Sequence, residues 1–122
     1  MNTESIANRL VSLCRAGKFN EAQDELFAAN ARSIEMEGMT GDLGTVQGLD
    51  AIHEKGRRFD ATISEVHFIK CSDPLIADSF FTVRMDLDAT YKQGGRRAMS
   101  ELCVYEVADG KIVREQFFYA TN

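Results

Sequence analysis

Apolar and polar positions along this chain follow two periods in succession, a helical one as far as residue 59 and a period of two from residue 63 onward. Ile6, Leu10, Leu13 and Cys14 fall on one helical face with Asn8, Arg9, Ser12 and Arg15 opposite, so a helix is predicted over residues 3–16, with Gly17 as its C-terminal cap. Asn20 followed by Gln23 resembles a capping box and opens a predicted second helix to residue 28, with Leu26 and Phe27 as its apolar contacts. Residues 31–37 alternate, Ile34 and Met36 against Ser33, Glu35 and Glu37, which predicts a short strand. Four glycines between residues 38 and 48 predict a loop. Leu49, Ile52, Gly56 and Phe59 then restore helical spacing over 49–59.

The second period predicts strands at 63–72, 76–91, 97–107 and 112–120, with turns at Ser72-Asp73-Pro74, Gln93-Gly94-Gly95 and Asp109-Gly110. Phe81, Val83, Met85, Leu87, Ala89 and Tyr91 form one apolar face, while Thr82, Arg84, Asp86, Asp88 and Thr90 point the other way. Three helices and an antiparallel meander make an α+β architecture, the helices covering the concave apolar side of the sheet. Acids interrupt that side in the last hairpin. Glu101 shares a face with Cys103, Tyr105 and Val107, and Glu115 shares one with Val113, Phe117 and Tyr119. A carboxylate on an apolar face is either solvated or pocketed, and a pocketed one has chemistry to offer.

At 122 residues, 44% hydrophobic and 27% charged, the chain is expected to fold as one domain, 1–122, without metal or disulfide staples. The net charge of −5, with basic residues scattered apart from Lys55, Arg57, Arg58 and Arg96-Arg97 in elements expected at the surface, argues against nucleic acid as a partner. The opening MNTESIANRL lacks the basic and then apolar run of a signal peptide, and no apolar stretch approaches a membrane span. A soluble, cytoplasmic protein is expected. Cys14, Cys71 and Cys103 are odd in number and sit inside apolar patterns, so reduced core thiols are expected. His53 and His67 have no metal-ligand spacing, and no metal is expected. His67 faces inward if Ile69 and Cys71 do, where it would titrate near neutral pH, and outward if Val66 and Phe68 take the inner face.

Gly48-Leu49-Asp50-Ala51-Ile52 resembles the G-x-x-A-I start of the third helix in the SnoaL-like branch of the nuclear-transport-factor-2-like superfamily, which shares the cystatin-like fold. Val107-Ala108-Asp109-Gly110-Lys111-Ile112-Val113 resembles its last hairpin, and the order of elements matches along nearly the whole chain. The resemblance implies a cone: three N-terminal helices wrapped by a strongly curved, mostly antiparallel sheet around an internal cavity. Polyketide cyclases, ketosteroid isomerases, epoxide hydrolases and proteins without known activity share that cone, so residues must carry the function.

In ketosteroid-isomerase-like relatives the base lies just after the second helix, which corresponds to Glu35 here. A protonated acid on the penultimate long strand donates to the oxyanion, a role matched by Glu101, with Cys103 as the alternative counterpart. Glu115 and His67 complete the candidate catalytic set. Phe81, Met85, Cys103, Tyr105, Phe117 and Tyr119 are the expected ligand-binding wall, suited to a small, largely apolar molecule with a carbonyl or hydroxyl group. No cofactor is implied. The chain departs from the isomerases in having no tyrosine on the first helix, and it lacks the Asp-Arg-Asp clusters of the epoxide hydrolases. Three readings therefore compete: a cofactor-independent isomerase or cyclase, a non-catalytic ligand-binding or partner-binding module, and a purely structural dimer. A homodimer is expected under all three, because Phe80, Leu102, Val104, Ile112 and Phe118 are read on the outer sheet face.

Overall fold

The computed structural model describes residues 1–120. Helix α1, Thr3–Arg15, starts under the Asn2 side chain, which accepts a 2.8 Å hydrogen bond from the Ser5 N–H. It ends at Gly17, whose φ of 73° allows Lys18 N–H to reach the Leu13 carbonyl and Gly17 N–H the Cys14 carbonyl, a Schellman closure. Ile6, Ala7, Leu10, Val11, Leu13 and Cys14 are buried.

Helix α2, Phe19–Leu26, begins one residue earlier than the sequence suggests, and Lys18 stands at its cap without a side-chain bond, so the Asn20/Gln23 capping box is not formed. It also ends earlier. Phe27, Ala28 and Ala29 leave the helix for strand β1, Phe27–Ile34, although alanine favours helix, because here the backbone pairs in parallel with the last strand while Phe27 and Ala31 enter the core. The predicted phase of this strand is inverted as well. Its buried positions are Phe27, Ala31 and Ser33, while Ile34 and Met36 are only half-buried.

After a 3₁₀ turn at Gly41–Leu43, the two-residue strand β2, Val46–Gln47, pairs antiparallel with β1 and leads straight into α3, Leu49–Asp60. Gly48 joins them with φ 98°, and its N–H bonds the Ala31 carbonyl at 2.8 Å, which pins the start of α3 to β1.

The meander follows: β3 Ile63–Cys71, β4 Leu75–Ala77, β5 Phe80–Tyr91, β6 Gly95–Ala108 and β7 Lys111–Phe118. The strand predicted over 76–91 is two strands, divided by a tight turn in which Asp78 takes φ 54°. Asp109 and Gly110 both have positive φ, 53° and 75°, as a type I′ hairpin requires. Sheet order is β2-β1-β7-β6-β5-β3, with β4 on β5; the sheet is mixed and not closed, and its single parallel pair, β1 with β7, sets the final strand in the interior of the sheet. Helices α1 and α3 pack on this sheet, and one core joins Ile6, Leu10 and Cys14 to Leu26, Ile52, Phe81, Val83, Cys103, Tyr105 and Ile112. Phe81 stacks on Tyr105, centroids 4.8 Å apart, and Phe27 meets Tyr105 edge-on at 6.5 Å.

A register shift between Glu106 and Val107 leaves Val113 without a partner in the β6–β7 ladder, Glu106 pairing with Arg114 and Val107 with Ile112. This bulge turns both Ile112 and Glu115 inward. Ile112 is thus a fully buried core residue and not part of the outer face where strict alternation put it.

Candidate functional site

The row of residues crossing the sheet at Ser33, Glu115, Tyr105 and Phe81 is in register from β1 through β7 and β6 to β5. Two of the four are polar. Ser33 is 0% exposed and Glu115 5%, and the Ser33 hydroxyl donates to Glu115 Oε1 at 2.8 Å. Buried polar groups need partners, and the third comes from α3. Lys55, 8% exposed, donates through Nζ to Ser33 Oγ at 2.7 Å and to Glu35 Oε1 at 3.0 Å, and lies 5.6 Å from the centroid of the Phe117 ring. The other Glu35 oxygen accepts a 2.7 Å bond from the Tyr119 hydroxyl. Glu101, on the inner face of β6, completes the group; its Oε1 accepts only a 3.5 Å contact from Cys103 Sγ.

Electrostatics follow from this placement. Burial pushes the Glu115 carboxyl up to about 7, against the opposing pull of the Ser33 hydrogen bond and the Lys55 charge. Burial likewise raises Glu101 to about 7, helped by the Glu35 charge and opposed by Cys103 and Lys55. Burial and the bond to Glu35 hold the Tyr119 phenol above its ordinary value, and the fully buried Tyr105 is raised for the same first reason. With all three carboxylates ionised against one ammonium, the cluster would carry a net charge of −2 in a poorly solvated place. Near neutral pH the group therefore retains protons that isolated glutamates would release.

The chain matches the family model of the SnoaL-like domain over residues 1–119. It belongs to the SnoaL-like family. Among solved structures, a Mesorhizobium loti protein described both as a SnoaL-like polyketide cyclase and as a carbohydrate phosphatase is similar, with a TM-score of 0.90 at 29% identity over 98% of this chain and 100% of that one. A nuclear-transport-factor-2-like protein of Burkholderia thailandensis has a TM-score of 0.83 at 20% identity, covering 98% and 92%. A Catenulispora acidiphila protein with a ketosteroid-isomerase-like fold, solved with trimethylamine, has a TM-score of 0.73 at 19% identity, covering 94% and 85%. Among curated proteins, none matches the sequence significantly.

Within this SnoaL-like domain the structure brings together Glu35, Glu101 and Glu115 with Cys103, Phe117 and Tyr119. Phe81, Cys103 and Tyr105 belong to the packed core, while Met85 and Phe117 are partly buried against it. His67 lies elsewhere. A register shift between Val66 and Phe68 resets the phase of β3, and the imidazole bonds Thr90 Oγ1 at 2.6 Å, with Glu65 3.8 Å away. His53 bridges to Asp24 at 2.7 Å, tying α3 to α2. Among the described residues, no group of three or more His, Cys, Asp or Glu side chains is placed to hold a metal ion. No helix among them is long and apolar enough to cross a membrane.

Lys55 and Ser33 are the two site residues that sequence reasoning missed. Lys55 was expected at the surface with Arg57 and Arg58, yet it stands three residues after Ile52, on the face of α3 that meets β1. Its position on the apolar stripe was the available signal. Ser33 had none, since a serine among alternating residues reads as the solvent side until the phase of the strand is known.

Proposed function

We propose that this protein binds a small, largely apolar molecule bearing a carbonyl or hydroxyl group inside its cone and moves a proton on it without a cofactor, as an isomerase or cyclase does. The observation that carries the reading is a buried cluster in which Lys55 pairs with Glu35 at 3.0 Å and reaches Glu115 through Ser33, with Glu101 within range of the Lys55 charge and burial raising Glu101 and Glu115 to about 7. A site poised in this way holds both a proton donor and a proton acceptor at neutral pH. Glu101 is the carboxyl with the weakest internal hydrogen bond, and in this reading it exchanges the proton with the ligand. Both Glu35 oxygens are engaged, so Glu35 anchors Lys55 and Tyr119, the two donors suited to an oxygen that gains negative charge. Met85 and Phe117 supply apolar contact, with Phe81, Cys103 and Tyr105 packed behind them. Membership of the SnoaL-like family, with a 29% identical relative described in part as a polyketide cyclase, is in keeping with this reading.

4-Nitrophenol, whose absorption reports its protonation, tests the reading as a compact mimic of an enol. The expected result is a saturable absorption change that Lys55→Met and Glu101→Gln abolish, together with a carboxyl-¹³C titration midpoint for Glu101 near 7. No saturable change and an ordinary midpoint would overturn it. Binding with an ordinary midpoint would leave a ligand-binding module without proton chemistry. We also propose that the outer sheet face seats a second copy of the chain, a reading supported by the exposure of Phe80, Leu102 and Phe118 together on that face.

A further inference from the structure

Glu115 lies deeper than a reacting acid needs to be, and what connects it to the rest of the cluster is a continuous line of hydrogen bonds. The Tyr119 hydroxyl donates to Glu35 Oε2 at 2.7 Å, Lys55 Nζ donates to Glu35 Oε1 at 3.0 Å and to Ser33 Oγ at 2.7 Å, and Ser33 donates to Glu115 Oε1 at 2.8 Å. The line runs over side chains from β1, α3 and β7 and the residues that follow β1 and β7; Lys55, Ser33 and Glu115 are buried, and Glu35 and Tyr119 are half-buried.

We propose that Glu35, Lys55, Ser33 and Glu115 form a proton wire that carries a proton between Glu35 and the enclosed carboxyl of Glu115, with Ser33 as its obligatory relay. This rests on the reading of the site as a proton-transfer centre, to which it adds a route by which the enclosed Glu115 exchanges its proton with the rest of the cluster. The transfer balances within the chain. The Lys55 ammonium first gives a proton to Ser33 Oγ as the original Ser33 proton passes to the Glu115 carboxylate, and the neutral Lys55 amine then takes the proton of protonated Glu35 as that O–H bond breaks. Lys55 ends as the ammonium it began as, and the net change is one proton moved from Glu35 to Glu115. No outside reactant takes part.

The groups surrounding Glu115 suit it to hold a proton. Lys55 from α3 is the cation that faces it; Glu35 after β1 and Glu101 on β6 are the carboxyls, and Cys14 from α1 with Cys103 and Tyr105 from β6 complete its electrostatic surroundings. Cys14, Cys103 and Tyr105 are all held well above their ordinary values by burial and do not compete for the proton near pH 7.

The test needs no ligand. A light-triggered pH jump on the whole protein, read by the infrared band of the protonated Glu115 carboxyl and assigned by its loss in Glu115→Gln, gives the rate at which Glu115 is loaded. Ser33→Ala and Lys55→Gln each interrupt the line and are expected to slow loading roughly a hundredfold, whereas Ser33→Thr, which keeps a hydroxyl, retains the wild-type rate. Either interrupting variant is sufficient if the other does not fold. Wild-type loading in Ser33→Ala or Lys55→Gln, or slowing in Ser33→Thr equal to that in Ser33→Ala, would overturn the wire. Failure of 4-nitrophenol to bind would leave these rates unchanged, so the two proposals fail separately.

Discussion

Glu115 shows how one buried side chain converts position into pH dependence. Its carboxyl is raised from an ordinary 4.5 to about 7, so between those values the native protein holds a proton that the unfolded chain has released. Stability must fall as pH rises through that window, by on the order of 3 kcal/mol for a shift of this size. Glu101 contributes with the same sign. Urea unfolding of the wild type should therefore show a midpoint that declines from about pH 5 to about pH 8, with Glu115→Gln flattening the decline. A midpoint that rises over the same range would place the carboxyl in the opposite environment. The ion pairs at Glu25, Glu54, Asp86 and Asp88 lower their carboxyls, so their contribution is already complete at neutral pH and is lost only as pH falls into the acid range.

The thiols give a second expectation at this scale. Cys14, Cys71 and Cys103 are free and buried, and burial raises all three, Cys14 to about 12. Thiolate is the reactive form, so a disulfide reagent should find no reactive thiol in the native protein and three in urea. Rapid native labelling of any one of them would contradict the packing described.

Among the elements, α3 depends most on one backbone position. Gly48 combines φ 98° with ψ 144°, a conformation essentially confined to glycine, and its N–H bonds the Ala31 carbonyl of β1. Gly48→Ala should cost about 1–3 kcal/mol in urea unfolding. Because α3 carries Lys55 onto Ser33, the same change should weaken 4-nitrophenol binding; unchanged stability would show that the strain is relieved elsewhere. The elements were also where sequence reading was most and least successful. Helix α1 and strand β5 announce themselves because hydrophobic burial alone sets their phase. Strand β1 misleads because its inner face holds Ala31, a core residue, and Ser33, which bonds Lys55 and Glu115, while the more apolar Ile34 and Met36 are only half-buried. In β7 the bulge at Val113 breaks the alternation, and Ile112 joins Glu115 inside.

For the whole molecule, the two faces of the sheet divide the work. The inner face carries core and cluster. The outer face alternates ion pairs, Arg84 with Asp86, Arg96 with Asp88 and Arg114 with Glu106, around Phe80, Leu102 and Phe118, with Leu102 50% exposed. If that face seats a second copy, Leu102→Arg should convert a dimer to monomer in sedimentation velocity, and an unchanged dimer would rule this interface out. One recess of about 310 Å³ is lined by Arg84, Ser100, Glu101, Leu102 and Phe118, and another of about 470 Å³ lies at the start of α3. The first has Glu101 of the cluster in its lining, and neither is walled by the inner aromatic residues.

From its own letters the chain determined the three helices, the meander with its Asp109-Gly110 hairpin, and the placing of Glu101 and Glu115 on otherwise apolar faces, because period and turn chemistry are local properties of neighbouring residues. Only the tertiary structure decided that Glu35, Glu101 and Glu115 meet, and that Ser33 and Lys55 stand between them. That meeting depends on the parallel pairing of β1 with β7, the bulge beside the last hairpin and the docking of α3, each of which joins residues far apart in sequence. Burial then sets the protonation of the carboxyls, a property that no glutamate possesses until its neighbours have excluded water.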